Sequence, residues 1–496
     1  MPSDLPMRIF QQCTARKEKF SRLIDGTAIQ AYTRSPFGYW CSLFAPQEKR
    51  DQPTEFMELL FSKGKEHEKK TVAEKYPGLV EIKYKDKMEG FMLLLRQMAL
   101  KANAFHGMPL YYMPEGLLGI PDITELSKEK GKSIFGNYYY IVKDVKLARN
   151  IRDHHIMQVA FYNYVLGKVQ GFTPEQFFVI DGNMTEHPFG YREYEHRLMQ
   201  ALHAAREIAE EKKHVEPVFG KAAWPWQSYN DELAIKKRDV SLVTGVKETM
   251  KAKLATMGIG TVEDLARADP QRLTKLERVG EASAKAMVLS AEALSENKVI
   301  TLHKPQIPQA KLEFFMDFEG TGMTDDEEFK DIDYLIGLIV RKGGSLEKGK
   351  YVHFFAPRPD QEKQMLYAFL EYVGKHPDYW IYHWHHYERT HMQRLLEKYR
   401  VRKAVADLIL TRMVDLYKII TKSFVFPTYG RSIKDIAKFV GFKWRQEKVD
   451  AMESIALYLK YTRDPMKNRP ALKKILRYNE DDCAAMVAVM DWAKRA

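Results

Sequence analysis

Cysteine is nearly absent from this chain of 496 residues, which contains only Cys13, Cys41 and Cys483. These three are far apart and odd in number, so neither a disulfide framework nor a zinc ribbon can be built from them. So few cysteines are typical of a protein from a reducing compartment. We therefore expect a cytoplasmic protein.

Long apolar runs are also missing. The most apolar run, YLIGLIV, is far too short to span a bilayer, and the N-terminal segment MPSDLPMRIFQQCTARKEKF has no apolar signal core. The sequence has no GxxxxGK[ST] phosphate loop either, which excludes a motor of that type. The sequence therefore predicts no membrane partner and no nucleotide-driven motor.

Positive charge, by contrast, is in excess. Lys and Arg number 78 against 66 Asp and Glu, a net charge of +12, while hydrophobic residues make up 45%. This length and apolar content support two or three domains with their own cores. A positive field attracts polyanions, of which nucleic acid is the commonest, although an ordinary soluble basic surface would have the same composition.

Four segments follow one another along the chain. Residues 1–217 alternate helix and strand patterns, with neighbouring strands predicted at 117–126 and 137–147 and a helix from about 151 to 169. Residues 218–240 lose periodicity and are predicted to be a linker, and residues 241–300 are helical with several glycines. Residues 301–496 show three strands, a helix, another strand and then helices. The sequence thus predicts an α/β multidomain protein with an all-α segment between its two α/β ends.

Acidic residues in the last segment are spaced to meet at one point. Asp317 and Glu319, in DFEGTG, are two apart on a predicted strand and therefore face the same side. Tyr478 and Asp482 are four apart on a predicted helix, and Glu388 follows another strand. Converging carboxylates repel unless a cation neutralises them, and hard oxygen ligands suit Mg²⁺ or Mn²⁺. Two such ions stabilise the attacking and leaving oxygens in phosphodiester cleavage.

This order of DxE, an aromatic–acid pair and YxxxD resembles the tyrosine-bearing branch of the DEDD superfamily of 3′→5′ exonucleases. The resemblance implies a ribonuclease H-like fold, two metal ions, and catalytic or metal-binding roles for Asp317, Glu319, Glu388, Tyr478 and Asp482. The chain departs from that pattern where Glu388 replaces an Asp and where His383 replaces an Asn. Alternative acids also remain open, namely Asp415, Asp435 and Asp481.

A second set of reactive residues lies in the first segment. GIPD ends in Asp122, and KDVK supplies Asp144 and Lys146, which share a face of one predicted strand. Carboxylates that hold a metal and a lysine that polarises the scissile phosphate or the water are the minimal set for a nuclease. Gln158 and Tyr162 are one helical turn apart in the following helix.

The order GxxH, PD, DxK and QxxxY resembles the RecB-like branch of the PD-(D/E)xK nucleases over roughly residues 20–215. The resemblance implies that His67, Asp122 and Asp144 bind metal, that Lys146 is catalytic together with the two acids, and that Gln158 and Tyr162 position substrate. Many such relatives carry an iron–sulfur cluster held by one early and three late cysteines. Cys41 matches the early one, but FGKAAWPWQSYNDE has no cysteine, so we expect no cluster and expect the tryptophans of that segment to pack in its place.

The middle segment contains two glycine turns between short helices, GIG at 258–260 and VGEASAKAM at 279–287. They resemble tandem helix-hairpin-helix elements, in which glycines allow tight turns and helix N-termini hold phosphates. Gly280 and Lys285 are the substrate-binding candidates. A spacer of small helices is the alternative interpretation.

The whole order resembles predicted RecB-family nucleases that fuse a PD-(D/E)xK domain, a helix-hairpin-helix and a ribonuclease H-like DEDD exonuclease domain. The resemblance implies a DNA nuclease that uses Mg²⁺ or Mn²⁺ on single strands or ends, in DNA repair, recombination or defence. A separate helicase would supply any unwinding, and repair or defence proteins are candidate partners. Two alternatives remain: a DNA-binding scaffold with one or both sites inactive, and an RNA-trimming exoribonuclease.

Overall fold

The computed structural model of the chain describes residues 4–16, 20–79, 82–322, 331–345, 347–445 and 449–496. The chain forms two compact units, one made of Met1–Pro53 and Met57–Leu233, the other of Thr54–Phe56 and Ala234–Ala496. Within the described ranges, none of the helices combines the length and apolarity needed to cross a membrane.

The elements up to residue 236 are α1 (Leu5–Thr14), β1 (Ile24–Asp25), α2 (Gly26–Arg34), α3 (Pro36–Phe44), α4 (Glu55–Lys75), α5 (Lys87–Ala99), β2 (Ala104–His106), β3 (Leu110–Tyr112), β4 (Leu117–Gly119), β5 (Ile123–Leu126), β6 (Tyr140–Val145), α6 (Asp153–Gln170), β7 (Gln176–Ile180), β8 (Glu186–Gly190), α7 (Tyr191–Ala209) and α8 (Gln227–Lys236).

The first unit is built on a five-stranded sheet in the order β2-β5-β6-β7-β8. The predicted neighbouring strands are confirmed in β5 and β6, which pair antiparallel. The run at 117–126 is divided, however, because β4 belongs to a smaller sheet with β1 and β3. The break falls at Pro121, which has no N–H to donate to a ladder. Helix α6 is buried along most of its length against both sheets.

The segment predicted to be a linker, 218–240, contains helix α8 and is ordered by polar contacts. The buried Asn230 side chain accepts from the Val218 N–H at 3.1 Å and donates to the Val218 carbonyl at 2.8 Å. Hydrogen bonds between a side chain and a distant backbone leave no periodic pattern in a sequence. The missing periodicity therefore did not indicate an irregular chain.

The middle helices are α9 (Glu248–Ala255), α10 (Val262–Ala266), α11 (Pro270–Leu273) and α12 (Glu281–Glu296). The final elements are β9 (Ile300–Thr301), β10 (Leu312–Gly320), β11 (Asp333–Lys342), β12 (Lys350–Phe355), α13 (Glu362–Gly374), β13 (Tyr379–His383), α14 (Tyr387–Lys398), α15 (Lys403–Arg412), β14 (Met413–Asp415), α16 (Leu416–Ser423), β15 (Phe424–Val425), α17 (Ile433–Phe439), α18 (Ala451–Arg463) and α19 (Arg469–Arg495).

The second unit contains a five-stranded sheet in the order β12-β11-β10-β13-β14. Its first three strands are antiparallel, whereas β13 and β14 run parallel to β10. Alternate residues of β10 enter two different cores: Phe314 and Met316 pack under α13 and α14, and Phe315 packs under α19. Because side chains alternate along a strand, Asp317 and Glu319 lie on the α19 side with Phe315. The long helix α19 crosses the sheet at the point where those two carboxylates emerge.

Candidate metal centre and a second acid–lysine site

Three carboxylates meet between β10 and α19. Single oxygen atoms of Asp317, Glu319 and Asp482 all lie within 4.8 Å of one another. Within the described ranges this is the only cluster of three or more His, Cys, Asp or Glu side chains with that spacing. Asp317 and Glu319 are two residues apart on β10, and α19 brings Asp482 to them from a distant part of the sequence. An all-oxygen donor set of this kind fits Mg²⁺ or Mn²⁺.

Burial and mutual repulsion disfavour the ionised form of these carboxyl groups when no cation is bound. Burial, followed by the charges of Asp482 and Glu319, raises the pKa of Asp317 well above its ordinary value. Burial and the charge of Asp482 raise the pKa of Glu319 to about 8. Burial raises the pKa of Asp482 to about 6, even though hydrogen bonds and the charge of Lys434 oppose the shift. Such crowded acids are costly to keep in a folded protein unless a cation compensates them.

The third carboxylate is held by two donors. The Trp444 Nε1–H donates to Asp482 Oδ1 at 2.7 Å, and the Tyr478 hydroxyl also donates to Asp482. Burial and the surrounding carboxylates raise the pKa of Tyr478, so its hydroxyl keeps its proton. Lys434 Nζ lies 4.8 Å from the centre of the Tyr478 ring. The site thus has a tyrosine hydroxyl and an ammonium group beside its acids.

Asn479 aligns Asp317 from the adjacent position on α19. Its Nδ2 donates to Asp317 Oδ2 at 2.8 Å, and its Oδ1 accepts from the Tyr351 hydroxyl at 2.8 Å. Gly337 on β11 makes room for this amide, because a Cβ there would lie 1.6 Å from Asn479 Oδ1. Sequence reasoning missed Asn479, Lys434 and Trp444. The only signal for Asn479 was its place beside Tyr478 in YNEDDC.

The alternative acids have other partners. Asp481 accepts from the Arg445 N–H and Nε, both at 2.7 Å, which leaves Asp482 as the acid in the cluster. Asp435 forms a capping box with Ser432 at the start of α17. Asp415 accepts from the Lys418 N–H at 3.2 Å as the cap of α16.

Glu388 lies near this cluster but outside the group of three. It is buried at the start of α14, and its Oε2 is 3.6 Å from Nδ1 of the buried His383. Burial raises the pKa of Glu388, with the charge of Asp415 adding to the shift and contacts with His383 opposing it. Glu388 in turn raises the pKa of Asp317 through its charge. The residue predicted from the second motif is therefore close enough to influence the cluster.

The acid–lysine site of the first unit lies where β5 and β6 run side by side. The Val145 N–H donates to Asp122 Oδ2 at 2.7 Å, and the Asp122 N–H lies 3.3 Å from Asp144 Oδ1. Lys146 directly follows β6, and its ammonium group forms an ion pair with Asp144. Burial and the charge of Asp144 raise the pKa of Asp122 well above its ordinary value. Burial alone would lower the pKa of Lys146, but Asp144 and Asp122 outweigh it, so the lysine remains a cation.

Helix α6 adds two polar groups to this site. Gln158 Oε1 accepts from Lys146 Nζ at 3.0 Å and from Gln30 Nε2 at 3.1 Å. Gln158 Nε2 lies 3.0 Å from the Tyr162 hydroxyl. A continuous hydrogen-bonded row therefore joins the lysine to both members of QxxxY, and it extends to Gln30 on α2, which sequence reasoning did not single out.

His67 and Glu68, which are neighbours on α4, have different hydrogen-bond partners. His67 Nε2 donates to the Asp181 carbonyl at 3.1 Å, and the structure does not group His67 with Asp122 and Asp144. Glu68, one residue on, carries the charge that is felt at Asp122 and Lys146. Its Oε1 is 2.9 Å from His106 Nε2. Glu68 is therefore an acid near this site that the sequence motif did not single out, although the structure groups neither Glu68 nor His67 with Asp122 and Asp144.

The two glycine turns of the middle segment differ in how their helices begin. Thr261 and Asp264 form a capping box at α10, and Asp264 also accepts from the Gly260 N–H at 3.1 Å. At α12, Gly280 is the N-cap and no side chain caps the helix. A Cβ at Gly280 would meet nothing within 4 Å, and Lys285 is exposed. Of the two turns, only the second thus leaves helix N–H groups without a side-chain acceptor.

Cys41 lies in an apolar cluster on α3. It is fully buried with Phe37, Ala45, Ala222 and Trp226. Burial raises the pKa of the Cys41 thiol to about 12, which disfavours the thiolate form that binds metals. Trp226 is held by a hydrogen bond from its Nε1 to Ser42 Oγ at 3.0 Å. One tryptophan of the cysteine-free segment therefore shares an apolar cluster with Cys41.

Comparison with known families identifies two parts of the chain. Residues 314–494 match the RNase_H superfamily, and residues 238–293 match the SAM-like helix-hairpin-helix tandem. No curated protein matches the chain. The carboxylate cluster thus belongs to a domain of the RNase H superfamily, preceded by a tandem helix-hairpin-helix. These two domains fit a nuclease or another nucleic-acid-binding protein.

Proposed function

We propose that this protein is a metal-dependent DNA nuclease with two active sites, acting on single strands or ends. The observation that carries the proposal is the cluster of Asp317, Glu319 and Asp482 inside an RNase H-superfamily domain. The proposed reaction is hydrolysis, in which water attacks phosphorus and the bridging oxygen leaves with a proton.

The residues of the second unit divide this work. Asp317, Glu319 and Asp482 would hold the Mg²⁺ or Mn²⁺, with Glu388 as a further ligand, and a bound cation would supply charge to offset that on the phosphate. The Tyr478 hydroxyl keeps its proton and donates a hydrogen bond to Asp482. Tyr478 would therefore orient the attacking water and would not act as a base. Lys434 adds a fixed positive charge where negative charge develops.

The first unit carries the second proposed site, a RecB-like PD-(D/E)xK centre. Asp122 and Asp144 would bind the metal, with His67 or the neighbouring Glu68 as a further ligand. Lys146 is a cation and therefore suits contact with the scissile phosphate better than proton abstraction. Gln158 and Tyr162 would position substrate. The supporting observation is the hydrogen-bonded row from Asp144 through Lys146 to Tyr162.

The proposed division of the chain places the PD-(D/E)xK domain at 1–217, the helix-hairpin-helix at 241–300 and the DEDD domain at 301–496. Gly280 and Lys285 would contact the DNA backbone, which positions the strand without reading its sequence. The uncapped start of α12 is the observation that favours Gly280 over the first turn.

Cleavage of DNA labelled at its 5′ or 3′ end, single- and double-stranded, with Mg²⁺ or Mn²⁺, tests this function. Wild type is compared with Lys146→Ala, Asp317→Ala and the double variant. We expect each single variant to lose a different labelled product and the double variant to lose all cleavage. Arg192→Ala, which alters an exposed residue, is the matched control and should cleave like wild type.

Other outcomes would replace the proposal. Binding of DNA without cleavage of DNA or RNA would indicate a scaffold. Cleavage of RNA alone would indicate an exoribonuclease. Unchanged cleavage of every end type in one single variant would remove the corresponding site from the proposal.

A further inference from the structure

A groove in the first unit lies close to the acid–lysine site and is not part of either proposed active site. Its cavity of about 250 Å³ is lined by α2, α3, the turn at Gln47–Lys49 and the segment around Trp224. The polar and aromatic lining residues are Gln30, Arg34, Gln47, Arg50, Trp224 and Trp226. None of the described lining residues is acidic.

Two arginines give this groove its charge. Arg34 and Arg50 are both exposed, and neither forms an ion pair with any acid that the structure describes. Two unpaired guanidinium groups in one cavity favour an anionic occupant, and phosphate suits their forked donors.

The groove also offers aromatic surface. Trp224 is half-buried, and the Arg50 guanidinium lies 6.0 Å from the centre of its ring. Phe61, which is 48% exposed, packs on Trp224 with ring centres 5.6 Å apart. Bases of a single strand stack on such rings, whereas bases in a duplex are already stacked on one another.

The groove connects with the acid–lysine site through Gln30. This residue lines the cavity and donates to Gln158 Oε1, the same oxygen that accepts from Lys146. Arg34 follows Gln30 by one turn of α2, so the two side chains share a face of the helix. A chain of phosphates lying along the arginines would therefore arrive beside Lys146.

From these four observations we propose that the groove binds single-stranded DNA and leads it into the acid–lysine site. Arg34 and Arg50 contact successive phosphates, and Trp224 stacks a base. The inference rests on the proposed function of that site, but binding in the groove can be measured without any cleavage.

The first test measures binding of labelled oligothymidylate in EDTA at several salt concentrations, with Asp317→Asn in every variant. Each phosphate contact on a single strand contributes about 0.7 to the slope of log affinity against log salt. We expect Arg34→Ala/Arg50→Ala to reduce the slope by about 1.4. The control Arg96→Ala/Arg192→Ala removes the same charge from exposed arginines outside the groove and should leave the slope unchanged.

Trp224 is tested by substitutions that differ in stacking. We expect Trp224→Ala to weaken oligothymidylate binding about tenfold and Trp224→Phe to retain most of it, since a phenyl ring still stacks. Equal losses in both variants would mean that the ring supports the fold of the groove and does not stack a base.

A second test reports position directly. The native thiols Cys13, Cys41 and Cys483 are all buried, so maleimide should react with a thiol introduced by Gln47→Cys in the groove. We expect oligothymidylate to slow that reaction at least fivefold. It should leave unchanged the reaction of Gln200→Cys, placed on the exposed surface of α7.

The two proposals can fail separately. Protection of the groove thiol without DNA cleavage keeps the groove and overturns the nuclease. Cleavage at the Lys146-dependent site with no protection, and with the salt slope unchanged in Arg34→Ala/Arg50→Ala, overturns the groove alone.

Discussion

Lys434 brings a positive charge to carboxylates that would otherwise only repel one another. It lowers the pKa of both Glu319 and Asp482, which places it in electrostatic contact with the cluster. The same ammonium group would repel a metal cation bound to these carboxylates. In our proposal it also helps to stabilise the phosphate. Its removal should therefore affect metal binding and turnover in opposite directions.

We expect Lys434→Met to lower the metal concentration needed for half-maximal DNA cleavage while reducing the maximal rate about tenfold, a magnitude typical of one electrostatic contact to a reacting group. Lys434→Arg should keep most of the rate. Lys422→Met, a change at an exposed lysine on α16, is the control. Metal titrations of cleavage at the Asp317-dependent site provide the measurement, and a parallel fall in metal affinity and rate would contradict the argument.

The same carboxylates predict how stability depends on pH without metal. Glu319 titrates at about 8 in the folded protein and Asp482 at about 6, whereas ordinary carboxyl groups titrate near 4. Between those values Glu319 and Asp482 hold more protons in the folded unit than in the unfolded chain, so their contribution to stability falls as pH rises. Each unit of pKa difference is worth about 1.4 kcal/mol.

Thermal unfolding in EDTA should accordingly show a Tm that falls by several degrees between about pH 5 and pH 8. Added Mn²⁺ should raise Tm more at the higher pH, because metal and protons compete for the same oxygens. Glu319→Gln should flatten the dependence in EDTA. A Tm that rises with pH in this window would show that the acids are not held in the repelling arrangement.

Sequence periodicity could pair Asp317 with Glu319 and Tyr478 with Asp482, because each spacing belongs to one regular element, and the family resemblance linked the two pairs. It could not find Lys434, Asn479 or Glu68, since their proximity to the acids depends on how separate elements pack. The family motif singled out His67, the residue before Glu68. The roles of all these residues remain predictions.

Among the elements, β11 and α19 approach one another at a position where only glycine fits. Gly337 faces the Asn479 amide, and that amide aligns Asp317. A single methyl group here would have to displace Asn479 or push the helix away. The position of Asp317 in the carboxylate cluster thus depends on the contact between β11 and α19.

We expect Gly337→Ala to destabilise the second unit by about 1–3 kcal/mol, as overpacking typically does, and to abolish most Asp317-dependent cleavage. Gly374→Ala is the matched control, because a Cβ at the end of α13 meets nothing within 4 Å. Urea unfolding and cleavage assays would check both. Full activity in Gly337→Ala would mean that Asn479 does not hold Asp317 in place.

At the scale of elements, the sequence predicted the paired strands β5 and β6 and the helix that carries Tyr478 and Asp482. These elements have strong alternation or helical spacing, and local pattern is sufficient for them. The division at Pro121 and the ordered segment around α8 could not be predicted, because they depend on sheet membership and on the side chain of Asn230.

For the whole molecule, the excess of positive charge is useful only where it can meet a backbone of phosphates. In our proposal, Lys285 and the uncapped start of α12 provide such a place in the helix-hairpin-helix. Contacts of this kind position a strand and are insensitive to its sequence. The order of domains was predicted from family resemblance. The capping contacts of Asp264 were needed to show which of the two glycine turns has helix N–H groups without a side-chain acceptor.

We expect Lys285→Ala to weaken binding of duplexes of unrelated sequence to the same extent and to reduce the salt slope by about 0.9. Lys298→Ala, just beyond the other end of α12, removes the same charge from an exposed position and should have no such effect. Fluorescence anisotropy at several salt concentrations would measure both. A loss confined to one DNA sequence would instead indicate base contacts.

The hydrogen bond between Trp444 and Asp482 has a practical consequence. An indole that donates directly to a carboxylate of the cluster is an optical sensor built into the site, because its emission depends on the charge of its acceptor. Titrating Mn²⁺ or Mg²⁺ while recording the difference in emission between wild type and Trp444→Phe would follow cation arrival with no DNA present. Cation occupancy would then be measured independently of turnover.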